Sequence, residues 1–530
     1  MENRKRVVAH RVQKPVMNKG YSHAGASLTK RNFKGFVVES GSPAEDINSN
    51  NYTLRQRSRM LYMSAPIATA ALKRQRTNIV GAGLRLKPTI DRDALGLTKE
   101  QAEEWQRKVQ AEFNLWASRK QACDATGVNT FYGMQQLVAL AWPMSGDVFA
   151  AIKRADPTPL EPYSLRLHIV EADRVRTPDV PNGSGSVVNN PYLVNLTTAK
   201  AANGNMIYDG VEVDKNGKIV AYHIANTYPN QWDGTPTEFV RVEAYGRETG
   251  LPNILHIMDT ERPEQYRGVP YLAQAIEPLL QMRRYTEAEI TAAVVQSFFT
   301  AFIKTEAGND GLPNEVGGDG VDVSRDPNEY EMGPGSINML APGESVEGLS
   351  PTHPNTGFDV FMRSLCEQVG ACLEIPADLL LMSFNSSYSA SRAALLEAWK
   401  GFRMRREWLT DDFCRPVYEI WLTEAVARGR IAAPGFLTDP IIRQAYLGSE
   451  WIGPSQGQLD PTKEVQAAVM AIENGLSTRE AEAVKLNGSQ FSNNVDKLAV
   501  ENEQLREAKG GNQPAEAPAV LEPPPDEDGE

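Results

Sequence analysis

Residues 450–488 read EWIGPSQGQLDPTKEVQAAVMAIENGLSTREAEAVKLNG. Asp460-Pro461 supplies a helix N-cap followed by a proline at the first helical position. Val465, Val469 and Ile472 then recur at i, i+4 and i+7, which predicts one apolar helical face. Asn474-Gly475 ends that helix with residues that tolerate positive φ. Ser477 predicts the next N-cap, with Glu480 completing a capping box, and Asn487-Gly488 stops the second helix. The stretch therefore predicts two short helices joined by a tight turn.

Three further segments point the same way, in chain order. Residues 54–88 read LRQRSRMLYMSAPIATAALKRQRTNIVGAGLRLKP. Residues 265–290 read QYRGVPYLAQAIEPLLQMRRYTEAEI, and residues 374–408 read EIPADLLLMSFNSSYSASRAALLEAWKGFRMRREW. Together with WIG and KEVQAAVMAIENGLST in the first stretch, they resemble the portal proteins of phages of the lambda type. The resemblance runs from about residue 54 to residue 488.

Composition sets the frame. A chain of 530 residues with 41% hydrophobic and 23% charged residues has the material for several lobes around large cores. No apolar run reaches the length of a membrane span, and the basic N-terminus lacks a continuous apolar core of a secretory signal. Cys123, Cys366, Cys372 and Cys414 form no CxxC pair, which fits synthesis in a reducing interior. Charge is uneven. Residues 1–36 hold nine Lys/Arg and one acid, net +8, so the rest carries −12 − 8 = −20. The last thirty residues hold nine acids and two bases with Pro523-Pro524-Pro525, and predict a disordered tail. The basic arm reads either as a solvated extension or as a contact to nucleic acid or protein. An acidic body disfavours static wrapping of DNA.

Along the chain, a helix is predicted from Thr53 to about Asn78, stopped by Gly81-Ala82-Gly83. That GAG lacks the strand–GxGxxG–helix context of a nucleotide loop. A second helix runs from about Lys99 to Ser118, opened by Thr98 and Glu100. Leu165–Val170 and Ile254–Ile257 read as strands, and Gly210–Ile224 as a hairpin turning at Lys215-Asn216-Gly217. Helical spacing returns from Pro270 to about Phe302, and Gly and Pro then crowd residues 308–343. A helix from about Asn355 to Leu373 precedes Pro376. After it a long helix carries Leu395, Trp399, Phe402, Leu409, Phe413, Val417 and Ile420, with a kink expected at Pro416.

Catalytic patterns are missing. There is no GxxxxGK[ST] loop, no HExxH and no GxSxG, and the six histidines are scattered. Asp319, Asp322 and Asp326 are the densest acidic group, but their spacing departs from an EF-hand loop and offers no bidentate glutamate. They read as a solvated turn, so no metal, cofactor or catalytic residue is assigned. An enzyme on a mixed α/β scaffold and another capsid or neck component are the competing readings.

The resemblance implies a helix-rich α+β portal fold with wing, stem, clip and crown regions. Carried onto this sequence, it divides the chain into a flexible basic arm (1–50), a mixed wing (51–268), a first stem helix (269–302), a clip (303–354) and a second stem helix (355–375). A tunnel loop (376–391), a long kinked wing helix with its following segment (392–450), crown helices (451–490) and an acidic Pro-rich disordered tail (491–530) complete it. It also implies a homo-oligomeric ring of about twelve subunits, without catalytic activity, at a capsid vertex of the virion and in the host cytoplasm during assembly. Double-stranded DNA would pass through the channel. Terminase, head-completion or neck proteins, and major capsid and scaffolding proteins would be its partners, with no membrane. The tunnel loop would present Ser383, Asn385, Ser386, Ser387 and Ser389 to DNA through neutral hydrogen bonds. Arg392, Arg403, Arg405 and Arg406 would either face DNA or pair with acids of the adjacent subunit.

Overall fold

A computed structural model describes residues 30–33, 35–36, 40–178, 198–229, 231, 234–297, 301–305, 344–348, 357–384, 388–456 and 461–508. The arm expected to run free to residue 50 is anchored from Ala44 onward. A π-helical turn, Ala44–Asn48, leads into the first helix, Asn48 is buried, and Asp46 lies 2.7 Å from Arg262. One helix was expected from Thr53 to Asn78, and two are found: α1 (Ser49–Ser64) and α2 (Pro66–Ile79). Pro66 divides them, because a proline drives the preceding residue to extended backbone, and Ala65 sits at φ −113°, ψ 111°. Gly83 then turns the chain at φ +117°, where an added Cβ would strike the Tyr132 ring.

After strand β1 (Arg85–Pro88) and the single turn α3 (Arg92–Leu95) comes α4 (Lys99–Ala117). Thr98 caps α4 as expected, with Glu100 in its first turn and Gln101 at the third helical position as the reciprocal partner. Two more helices, α5 (Lys120–Cys123) and α6 (Phe131–Ser145), lead into β2 (Asp147–Arg154) and β3 (Leu165–Glu171). Strands β4 (Thr198–Lys200), β5 (Met206–Tyr208), β6 (Val211–Val213), β7 (Ile219–Ala225) and β8 (Phe239–Glu243) form an antiparallel meander in that order. β9 (Ile254–Met258) joins the other side of β2, giving the three-stranded order β3-β2-β9. The expected hairpin is β6–β7, turned at Asp214–Gly217, where the Asp214 carboxylate accepts the Asn216 and Lys218 amides.

Helix α7 (Ile276–Ser297) is followed by β10 (Ala301–Thr305), antiparallel to β11 (Glu344–Gly348). Residues 301 and 302, expected at the end of a helix, are therefore strand, as an aromatic and β-branched Ala-Phe-Ile-Lys-Thr run favours. α8 (Phe358–Leu373) ends where Glu374 turns left-handed at φ +55°. The loop expected from 376 holds a short helix, α9 (Ala377–Leu381), and its far end already belongs to α10 (Tyr388–Leu409). A π-helical turn, Thr410–Cys414, separates α10 from α11 (Arg415–Ala427). The irregularity precedes Pro416 because its ring would collide with the carbonyl four residues back, at Asp412, and a wider turn relieves this.

α12 (Pro440–Leu447) leads to β12 (Ser449–Ile452), which pairs with β1 in the register Leu86↔Trp451. α13 (Pro461–Glu473) and α14 (Arg479–Asn487) are the expected helix pair, although Asp460 lies outside the described residues. The second cap is Thr478, whose hydroxyl accepts the Ala481 amide. Glu480 turns instead to Lys87 and to the Phe491 amide, so no capping box forms with Ser477. The predicted apolar face of α13 is largely open: Ala468 is buried while Val465 and Val469 are exposed. Residues Phe491–Ala508, expected in the disordered tail, form α15.

The main core gathers residues of α1, α2, α4, α6, α8, α10 and α11, with Phe113 at the centre of an aromatic cluster within it. Its ring meets Trp421 edge-on at 5.1 Å and Phe131 at 5.7 Å. A smaller core, with Phe149, Val170, Val211 and Tyr222, joins the two larger sheets.

Candidate functional site

The segment 383–406 begins at Ser383, whose amide bonds the Asp378 carbonyl after Met382 turns left-handed at φ +56°. Asn385, Ser386 and Ser387 lie outside the described residues. Ser389 is exposed in the first turn of α10, so it stands on a helix and not in a loop. Phe384, beside Ser383, is exposed.

The four arginines do not form one patch. Arg392 reaches across to α13 and lies 2.9 Å from Glu464. Arg405 is buried, 2.7 Å from Glu374, with its guanidinium over the Tyr271 ring. Arg406 donates to the carbonyls of Asn78, Ile79 and Pro454, and so closes the C-terminal end of α2. Burial, and then the neighbouring Arg403 charge, pull its pKa down to about 10. Arg403 is exposed and makes no ion pair among the described residues. Three of the four are thus engaged within the chain, and among the described residues Arg403 is the free cation of this group. Asp319, Asp322 and Asp326 lie outside the described residues.

A polar knot that sequence reading missed sits between the sheets and α1. Arg267 is fully buried and grips both Asp147 oxygens, at 2.6 and 3.1 Å. It also donates to the carbonyls of Ala172, Val175 and Asp209. Asp209 in turn lies 2.9 Å from Arg55 of α1, and Arg59 pairs with Asp173. His256 faces Asp147 at 3.4 Å, and burial holds that imidazole below its usual pKa. Despite its burial, the Arg267 and His256 contacts keep Asp147 well below the usual carboxylate range.

Beside this knot, Gly268 and Gly146 pack backbone on backbone. A Cβ on Gly268 would overlap the Gly146 carbonyl, and one on Gly146 the Gly268 carbonyl. Asn51 of α1 donates to the Gly268 carbonyl at 2.8 Å. The signal was present in the QYRGVP stretch, where Arg267 and Gly268 are adjacent. Their partners lie far off in sequence.

The knot ties the sheets, α1 and the segment that leads toward α7 into one joint, an architecture suited to holding elements at a fixed angle. Residues 29–406 match the family model described as phage portal protein, lambda family. This chain belongs to that family. It is 24% identical over 530 aligned residues to Portal protein B of Escherichia phage lambda, covering 95% of this chain and 93% of that one. The portal protein of Escherichia phage N15 is 25% identical over 476 residues, covering 86% and 84%. The probable portal protein of Halomonas phage phiHAP-1 is 23% identical over 465 residues, covering 87% and 82%. Among solved structures, the chain aligns with one in the neck of a native GTA particle computed with C12 symmetry. The TM-score is 0.41, with 12% identity, over 83% of this chain and 94% of that one. A chain from the virion of a native gene transfer agent particle gives 0.41 and 13% over the same shares.

Membership of the family makes the helix-rich α+β fold a portal fold and the protein a phage portal protein of the capsid vertex. The portal family is structural rather than enzymatic. No described helix is long and apolar enough to cross a membrane.

Proposed function

We propose that copies of this chain close into a ring of about twelve, through which double-stranded DNA enters and leaves the capsid, and on which terminase and then head-completion proteins dock. The ring has no catalytic activity and needs no cofactor. The observation that carries the reading is the family match across residues 29–406, with lambda and N15 portal proteins alike over most of their length.

In this reading α7 and α8 are the stem, β10 and β11 the root of the clip, and α13 and α14 the crown. The segment from Ser383 to Ser389 then faces the channel, and Arg403 is the cation of α10 open to a neighbour or to DNA. An acidic body lined by neutral hydroxyls and amides grips phosphates weakly and lets them slide.

Native mass spectrometry of the purified full chain, with class averages from electron microscopy, tests the ring. Closed particles of about twelve copies with a central channel support it. A monomer or dimer that persists at high concentration would sink it.

A further inference from the structure

A cleft of about 560 Å³ lies between α4, β1 and β12 on one side and the first turns of α15 on the other. Arg85, Arg107 and Lys497 line it, together with the side-chain amides of Gln490, Asn493 and Asn494. No Asp or Glu is among its lining residues. None of the three cations makes an ion pair among the described residues, and the Arg85 guanidinium is held 3.7 Å over the Tyr132 ring. Glu480 at the base of α15 is engaged by Lys87 and the Phe491 amide, at 2.8 Å each. Asn493 already donates to the Gln490 side-chain oxygen and Asn494 to the Ser489 hydroxyl, so in a chain of net charge −12 it is the three cations without a carboxylate partner that make the concavity anion-accepting.

The same chain holds a complementary segment. Residues 516–530 contain six carboxylates, Glu516, Glu522, Asp526, Glu527, Asp528 and Glu530, and no Lys or Arg. From Lys497 to the end of α15 at Ala508 is 508 − 497 = 11 residues, which carry the chain about 17 Å from the cleft at the helical rise. The seven residues 509–515 span up to about 23 Å when extended. The acidic stretch therefore reaches the cleft from its own tether, at a local concentration on the order of millimolar.

We propose that the cleft between α4, β1 and α15 is the docking site of the acid-rich C-terminal segment 516–530 of the same chain. A peptide carboxylate enters a concavity of this size, whereas a DNA duplex meets only its rim. The pairs are partly exposed, so each contributes little and the docking weakens with salt. The proposal stands on the cleft and the sequence and does not depend on the portal reading.

Zero-length carbodiimide cross-linking of the full chain, read by mass spectrometry, tests it, with isotope-labelled and unlabelled protein mixed. The expected result is an amide between the Lys497 Nζ and a carboxylate of residues 516–530 within one chain. R107E and R85E, both at exposed positions, should lower its yield at least about fivefold, as should high salt. An unchanged melting temperature confirms that these variants fold. Three outcomes overturn the proposal: no such amide, an amide formed only between differently labelled chains, or a yield indifferent to both charge reversals. A short DNA duplex that binds the full chain and is lost in R107E, with no tail cross-link, would assign the cleft to nucleic acid instead.

Discussion

Arg267 and Asp147 meet at 2.6 Å with neither side chain open to water, at the start of β2. Two opposite charges buried this way are stable only as a pair, because removing one leaves the other without solvent or partner. The remaining guanidinium hydrogens are taken by three carbonyls, so the group is fully satisfied. R267M should therefore destabilise the chain by about 3–5 kcal/mol, read as a lower denaturant midpoint. A loss under about 1 kcal/mol would show that the pair is not what holds the joint.

The contact of Gly268 with Gly146 leaves no room for a methyl group, and the obstructing atoms are backbone. G268A should cost more than about 3 kcal/mol or abolish soluble expression. G96A provides the contrast. Gly96 caps α3 at φ +64° with nothing within 4 Å of the place a Cβ would take, so only the left-handed strain of about 1 kcal/mol applies. Equal melting temperatures for the two variants would contradict this account.

Asp412, in the π-helical turn, has its pKa pushed up to about 6 by burial and by the nearby Asp259 charge. The folded state then holds this proton more tightly than the unfolded chain, whose value is 3.8. Stability from this group is present below the unfolded value and is lost as pH rises through about 6. D412N should accordingly stabilise by about 1–2 kcal/mol near pH 8, after discounting for partial solvent screening, and by little near pH 4. A gain of equal size at both pH values would remove the titration as its cause.

Arg403 and Arg406 lie three positions apart on α10 and should behave oppositely. R406M removes a charged donor from three carbonyls and should cost about 1.5–3 kcal/mol. R403A should stay within about 0.5 kcal/mol of the parent. If R403A also lowers DNA packaging at unchanged stability, the exposed cation works outside its own subunit. Thermal unfolding and a packaging assay together separate the two.

Local patterning carried much of the fold. The apolar stripe expected from Leu395 to Ile420 is buried from Trp399 onward, with Leu395 half-buried at its start, because helical period sets which residues share a face. Boundaries were harder. Pro66 broke a helix that periodicity had run through, and Thr478 took the cap expected of its neighbour Ser477. The knot around Arg267 was illegible, since Asp147 lies 120 residues away and no local period links them. Arg405 and Arg406 show the same limit at short range. One turns to Glu374 and the other to the end of α2, a difference made by packing partners and not by composition.

The glycine contact on the segment leading to α7 also bears on manufacturing tolerance. A joint made of side chains can settle into alternative rotamers, and each rotamer sets a slightly different exit angle. Here the bearing surface is peptide against peptide, with Asn51 pinning one carbonyl, so it has no rotamers to choose among. In a closed ring the angular errors of all copies must sum to zero at the last contact. In the proposed ring, a rotamer-free bearing would keep each copy's error small enough for that last copy to fit.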